Sequence, residues 1–170
     1  MKIVVTDACI FIDVINLNLT GKFFGLELDI HTTADIINEL YPAQQQILEG
    51  YKSSTKLTVH VLTGEEQLAL MTEEHPKALT PEDLSVIFIA RKLGDATVLS
   101  SDKPLRKYAK KLSIEYHGML WIMDQLIGQE ILTKSEGVTK LTAWVNSNLS
   151  YKNNAEIQAE VDTRVKAWSK

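Results

Sequence analysis

The sequence has little of what staples, interrupts or anchors a chain. One cysteine, Cys9, can form neither an internal disulfide nor a Cys-rich zinc site, so a reducing, cytoplasmic setting is expected. Four prolines and eight glycines in 170 residues are too few for a flexible linker or a Pro/Gly-rich repeat. No apolar run approaches ~18 residues, and Asp7 and Asp13 fall inside the stretch that a leader would need to keep apolar. Neither export nor membrane insertion is therefore expected. The four histidines, His31, His60, His75 and His117, show no metal-ligand spacing. Positive charge is short overall: a net charge of -4 excludes a broad electrostatic grip on nucleic acid and leaves that task to a local basic patch.

Against these absences stands the composition of a globular core, 45% hydrophobic and 24% charged. Runs rich in β-branched residues at Ile3 to Thr6, Ile30 to Thr33, Leu57 to Leu62, Thr97 to Ser100 and Ile114 to His117 read as strands, and helical periodicity fills the gaps. Strands alternating with helices predict a three-layer α/β/α sandwich with a central parallel sheet, with functional groups near the carboxyl ends of the strands. Residues 1–150 are expected to form one domain and residues 151–170 a helical tail. Thr133-Lys134-Ser135-Glu136 is a capping-box pattern that starts one late helix. After Asn153-Asn154, Ile157, Val161, Val165 and Trp168 recur at offsets of four, four and three and draw an apolar stripe. That stripe must be covered, by the chain's own domain or by a subunit or partner.

Four carboxylates stand at places where chemistry and plain structure compete. Asp7 ends the first strand and could cap the helix that follows. Glu39 lies in TADIINEL, where one glutamate beside an apolar face reads most simply as surface. Asp83 follows Thr80-Pro81-Glu82 and fits a capping box, yet LSVIFIA behind it is apolar all round, which turns this first-turn acid toward the interior edge. Asp102 follows TVLSS and precedes Pro104, so it too can start a helix. Capping and metal binding are compatible roles. Asp13 and Asp95 are expected on the surface.

Taken together and in order, IVVTDACIFID, TTADIINEL, LTPEDLSVIFIARKLG and TVLSSDKPLRKYAKK resemble the PIN domain, a family of metal-dependent ribonucleases, over about residues 1–147. The resemblance implies a PIN-like fold with Asp7, Glu39, Asp83 and Asp102 as catalytic acids and Asp7, Asp83 and Asp102 as metal ligands. It also implies that Ser100 orders the site, and that water hydrolyses RNA to leave a 5'-phosphate and a 3'-hydroxyl. Oxygen-only ligands suit Mg²⁺ or Mn²⁺ and disfavour zinc. Single-domain PIN chains resemble the toxin halves of toxin–antitoxin pairs, which implies a homodimer and a small antitoxin protein as partners.

Seven bases against two acids between Arg91 and Lys111 supply the local patch that the net charge withheld. Lys103, Lys107 and Lys110 share one helical face directly after Asp102, and with Arg106 they are candidate RNA contacts; a solvated helix face is the competing account. Tyr108 is a candidate base-stacking ring. A dehalogenase-like phosphatase would need an acid where Cys9 stands, and a receiver domain would need neighbouring acids at Asp7. The alternative that survives is a non-catalytic PIN-like module that binds RNA or protein.

Overall fold

Val4, Val5 and Thr6 have no exposed surface, as expected for a strand with neighbours on both edges and helices on its faces. They lie in β1 (Lys2–Thr6), which pairs in parallel with β2 (Leu28–Thr33) on one side and β4 (Ala96–Leu99) on the other. The computed structural model describes residues 1–170. β3 (Thr58–His60) extends the sheet beyond β2, and β5 (Tyr116–His117) extends it beyond β4, giving the order β3-β2-β1-β4-β5 with every pair parallel. The chain thus is α/β, with a five-stranded parallel sheet flanked by helices. All five expected strands are present, but the two at the edges are shorter than their β-branched runs, because an edge strand has one partner only.

The chain divides into two compact units. Met1–Ile12 and Glu27–Gly118 form the first, which holds the sheet together with α3 (Ala34–Glu39), α4 (Pro42–Ser53), α5 (Gly64–Thr72), α6 (Pro81–Leu93) and α7 (Lys103–Lys111). α6 packs on β1, β2 and β4 and buries Leu84, Val86, Ile87 and Ile89. Each such side chain contributes ~1.5–3 kcal/mol relative to exposure, so this helix is a main anchor of the sheet. Its start is fixed as the sequence predicts: Thr80 Oγ1 accepts from Asp83 N at 3.2 Å, and Asp83 Oδ2 accepts from Thr80 N at 3.0 Å, with Pro81 in the first turn.

Asp13–Leu26 and Met119–Lys170 form the second unit. α1 (Ala8–Asn16) carries the chain into it, followed by α2 (Thr20–Phe23), and later by α8 (Met119–Gly128), α9 (Lys134–Asn146), α10 (Leu149–Lys152) and α11 (Ala155–Trp168). The predicted capping box opens α9, and Asn154 caps α11 by accepting from Ile157 N at 3.1 Å. The apolar stripe of α11 turns onto α9: Val161 is buried, and Ile157, Val165 and Trp168 are half-buried. A Cβ on Gly137 would come within 2.7 Å of Ile127 Cδ1 and 3.2 Å of the Trp168 ring, so the helices close onto a residue without a side chain. Arg164 reinforces the contact with a two-pronged bond to Asp124 at 2.9 and 2.8 Å.

Asp13 departs from its expected place on the surface. It is 9% exposed, and its Oδ2 accepts from Trp144 Nε1 at 3.0 Å and Tyr151 Oη at 3.1 Å, while the two rings stack with centroids 4.6 Å apart. The carboxylate thereby ties α1 to α9 and α10. Asp95 does lie exposed, in the left-handed turn after Gly94.

Candidate functional site

The strand order reverses between β1 and β4, and the carboxyl ends of these two strands place Asp7 and the Ser100–Asp102 segment side by side. Asp7 N donates to Leu99 O at 2.9 Å, which holds the acid at the end of the ladder. Its side chain is 5% exposed and fully engaged: Oδ1 accepts from Ala8 N at 2.8 Å, and Oδ2 accepts from Ser100 Oγ at 2.7 Å and from the Cys9 thiol at 3.4 Å. Ser100 Oγ in turn accepts from Asp102 N at 3.0 Å. One hydroxyl therefore links the first acid to the backbone of the fourth. Asp102 Oδ2 caps α7 by accepting from Leu105 N at 3.2 Å, so the capping role read from the sequence is real.

Asp83 and Glu39 arrive from two helices that a hydrogen-bond chain holds together. Thr33 caps α3, its Oγ1 accepting from Ile36 N at 3.2 Å. Ser85 Oγ donates to Glu82 O at 2.6 Å, which leaves the Ser85 oxygen to accept from the Thr33 hydroxyl at 2.8 Å. α3, which ends on Glu39, is thereby pinned to the first turn of α6, which carries Glu82 and Asp83.

The four acids lie within one electrostatic field. Burial pushes Asp7 above the usual carboxylate range, against the bonds from Ser100, Ala8 and Cys9, and Asp102 adds to the rise. Asp83 is also pushed up, by burial and then by Asp7 and Asp102, despite its bond from Thr80 N. Glu39 is exposed, yet partial burial followed by Asp7, Glu82 and Asp83 pushes its carboxyl up to about 7. Crowded acids of this kind favour either protons or a cation. The donors are all oxygen, which fits a hard divalent ion and not zinc. No three Asp, Glu, His or Cys side chains converge on one point at metal-ligand spacing.

Sequence reasoning missed two neighbours. Glu82 adds to the charge around Glu39, and its adjacency to Asp83 was the available signal. Cys9 accepts from Ser101 N at 3.2 Å and lies 3.7 Å from Ser100 Oγ, contacts that exist only because β4 lies beside β1. Burial, with Asp7 next to it, pushes the thiol up to about 12, so it remains a neutral donor.

The candidate RNA contacts divide. Lys103, Lys107 and Lys110 are exposed on α7 and line one groove. Arg106 does not line that groove, and its guanidinium lies 5.1 Å from the centre of the Tyr116 ring. Tyr108 is 8% exposed, which leaves little of its ring open to a base.

The model of the DUF3368 family, described as a PIN domain, matches residues 3–154. The chain belongs to the PIN-domain family, a family of nucleases that typically use divalent metal ions and act on RNA. No curated protein matches the chain. No helix is long and apolar enough to cross a membrane.

Proposed function

We propose that this protein is a Mg²⁺- or Mn²⁺-dependent ribonuclease that hydrolyses RNA phosphodiester bonds. The observation that carries the reading is that the carboxyls of Asp7, Glu39 and Asp83 are all raised, first by burial and then by other acids with Asp102 among them, around the carboxyl end of β1, in a chain of a nuclease family. Acids crowded in this way, with no basic side chain among the causes of their shifts, call for a counter-cation. Asp7, Asp83 and Asp102 would hold it. Bound there, the divalent ion supplies the charge that offsets the carboxylates and a Lewis acid for phosphodiester hydrolysis.

The chain's own groups have separate tasks in this reading. Ser100 orients Asp7 through the 2.7 Å bond and fixes the start of α7 through Asp102 N. Glu39, half in solvent with a carboxyl held near neutrality, is suited to take up a proton at pH 7. Lys103, Lys107 and Lys110, with Arg106 as a lesser contributor, attract the phosphate backbone. Resemblance to toxin-type PIN proteins supports a cytoplasmic toxin that forms a homodimer and is silenced by a small antitoxin. A small, partly disordered DNA-binding protein encoded beside this chain is the expected neighbour, and light scattering reads the dimer.

Incubation of labelled structured and unstructured RNA with Mg²⁺, Mn²⁺ or EDTA tests the activity. Cleavage that requires the ion and disappears in Asp7→Asn and Asp102→Asn is expected. Equal cleavage in EDTA removes the mechanism, and RNA binding without cleavage under any ion favours the non-catalytic module.

A further inference from the structure

Ser85 is the one polar residue in LSVIFIA, the apolar run of α6 over residues 84–90. Helix formation alone would favour alanine there, because serine has the lower helix propensity and a hydroxyl turned back onto its own helix weakens it. Packing would favour alanine too, since a hydroxyl with no exposed surface must find partners of its own. Thr33, also without exposed surface, supplies the partner from the end of β2. The bonds run in one direction, because Ile36 N can only donate and Glu82 O can only accept. Ile36 N–H points to Thr33 Oγ1 at 3.2 Å, the Thr33 hydroxyl to Ser85 Oγ at 2.8 Å, and the Ser85 hydroxyl to Glu82 O at 2.6 Å. A slip of α3 along α6 would break a link and leave a buried hydroxyl unpaired.

Both ends of this relay adjoin acids. Ile36 lies one turn before Glu39 on a helix of six residues, and it is the only fully buried residue of α3. So short a helix has little stability of its own and takes its position from its anchors. Glu82, at the other end, directly precedes Asp83. After burial, Asp7, Glu82 and Asp83 push the Glu39 carboxyl up, so the charges on the two helices are near enough to be felt.

We infer that Thr33 and Ser85 are positioning residues for Glu39, whose hydroxyls fix where its carboxylate stands against Asp83. The inference deepens the ribonuclease reading and rests on it for the reaction that this placement serves. Neither hydroxyl has surface for a substrate to reach, so each acts through Glu39. With the relay cut, α3 keeps its anchor at Ile36 and loses its register on α6; Glu39 then weighs less on the other acids and takes up a proton from the wrong place.

A double-mutant cycle between Ser85→Ala and Glu39→Gln separates position from plain stability. Thr33→Val/Ser85→Ala stands beside it, replacing both hydroxyls by apolar groups of similar shape, so that no buried hydroxyl is left alone to unfold the chain. Two quantities are read: the Mn²⁺ concentration that gives half the full rise in melting temperature, which needs no cleavage, and kcat and KM on a labelled unstructured RNA. In Ser85→Ala and in Thr33→Val/Ser85→Ala the Mn²⁺ midpoint should rise about fivefold, and kcat should fall about tenfold with KM within about twofold. Thr33→Ser keeps the relay and should stay within about twofold of wild type in both. On the Glu39→Gln background Ser85→Ala should add less than about twofold to either. Asp13→Ala, cut at a buried joint elsewhere, should leave the Mn²⁺ midpoint within about twofold although it lowers stability. Equal Ser85→Ala effects on both backgrounds, wild-type values in Thr33→Val/Ser85→Ala, or a loss in Thr33→Ser as large as in that variant overturns the inference, as does a wild type whose melting temperature ignores Mn²⁺. The expected Mn²⁺ midpoints in a chain that cleaves no RNA refute the ribonuclease reading and leave the positioning role standing. Mn²⁺-dependent cleavage that is the same in wild type and in both relay variants does the reverse.

Discussion

Asp7 and Asp13 stand at the two ends of one short stretch, and each is buried with its carboxyl pushed above the usual range by that burial. Both are supplied with hydrogen-bond donors. Those of Asp13 are the Trp144 and Tyr151 side chains, and no other acid adds to its shift. Those of Asp7 are Ala8 N, the Ser100 hydroxyl and the Cys9 thiol, and Asp102 pushes on it while it pushes on Glu39 and Asp83. A buried acid among neutral donors is a structural joint. A buried acid among other acids is a place that lacks a counter-charge, and the difference lies in company and not in burial.

The largest expected effect that sharpens this contrast is on cleavage. Asp7→Asn should lower Mn²⁺-dependent RNA hydrolysis by about 100-fold or more, the scale on which removal of a transition-state interaction is read. Asp13→Asn should leave it within about threefold. Gel assays of the two purified variants compare them directly, and equal losses would break the contrast.

Stability should order the pair the other way. Asp13→Ala leaves the Trp144 N–H and the Tyr151 hydroxyl without their shared acceptor, at a cost of about 1–3 kcal/mol. Asp7→Asn relieves like-charge crowding and should leave apo stability equal or raise it by up to ~2 kcal/mol, as when a functional site trades stability for activity. Urea denaturation in EDTA measures both, and a loss of more than 1 kcal/mol in Asp7→Asn would contradict the idea of a site awaiting charge.

pH gives a smaller but signed effect. Glu39 has its folded pKa raised from the usual 4.5 to about 7, so its contribution favours the folded state fully below about 4.5 and is lost as pH rises toward 7. Asp7 and Asp83 are shifted in the same direction. Apo stability should therefore fall between pH 4.5 and 7, and less steeply in Glu39→Gln. Mn²⁺ should oppose that fall, because ion binding requires the ionised carboxylates. Thermal melts across this range in EDTA and in Mn²⁺ measure it, and identical slopes for wild type and Glu39→Gln would remove Glu39 from the cluster.

The smallest expected effect falls on Cys9. Its long bond to Asp7 Oδ2 is a weak one, so Cys9→Ala should raise the Mn²⁺ concentration for half-maximal thermal stabilisation by only about two- to fivefold. No change at all would make the thiol packing alone.

Local signals carried much of this molecule. The β-branched runs located all five strands, and the capping boxes at Thr80 and Thr133 and the cap at Asp102 are local in origin, since each is made by residues within three positions of one another. The resemblance pointed to the PIN family, and the family match over residues 3–154 agrees with that. The misreadings share one cause. Asp13 read as surface because its partners Trp144 and Tyr151 lie more than 130 positions away. Tyr108 read as a stacking ring because helical spacing does not show which side of α7 faces the body. Glu82 and Cys9 were passed over because their charge and contacts matter only beside Glu39 and Ser100.

The sequence by itself determined the alternation of strands and helices, the helix starts and the order of the acids, because these depend on side-chain periodicity and on hydrogen bonds that close within a turn. Only the tertiary structure decided which acids share a field, which one serves as a joint, and that the hydroxyls of Thr33 and Ser85 meet. Charge interactions and burial act through space, and the sheet order β3-β2-β1-β4-β5 brings β1 beside β4 across some ninety residues of chain.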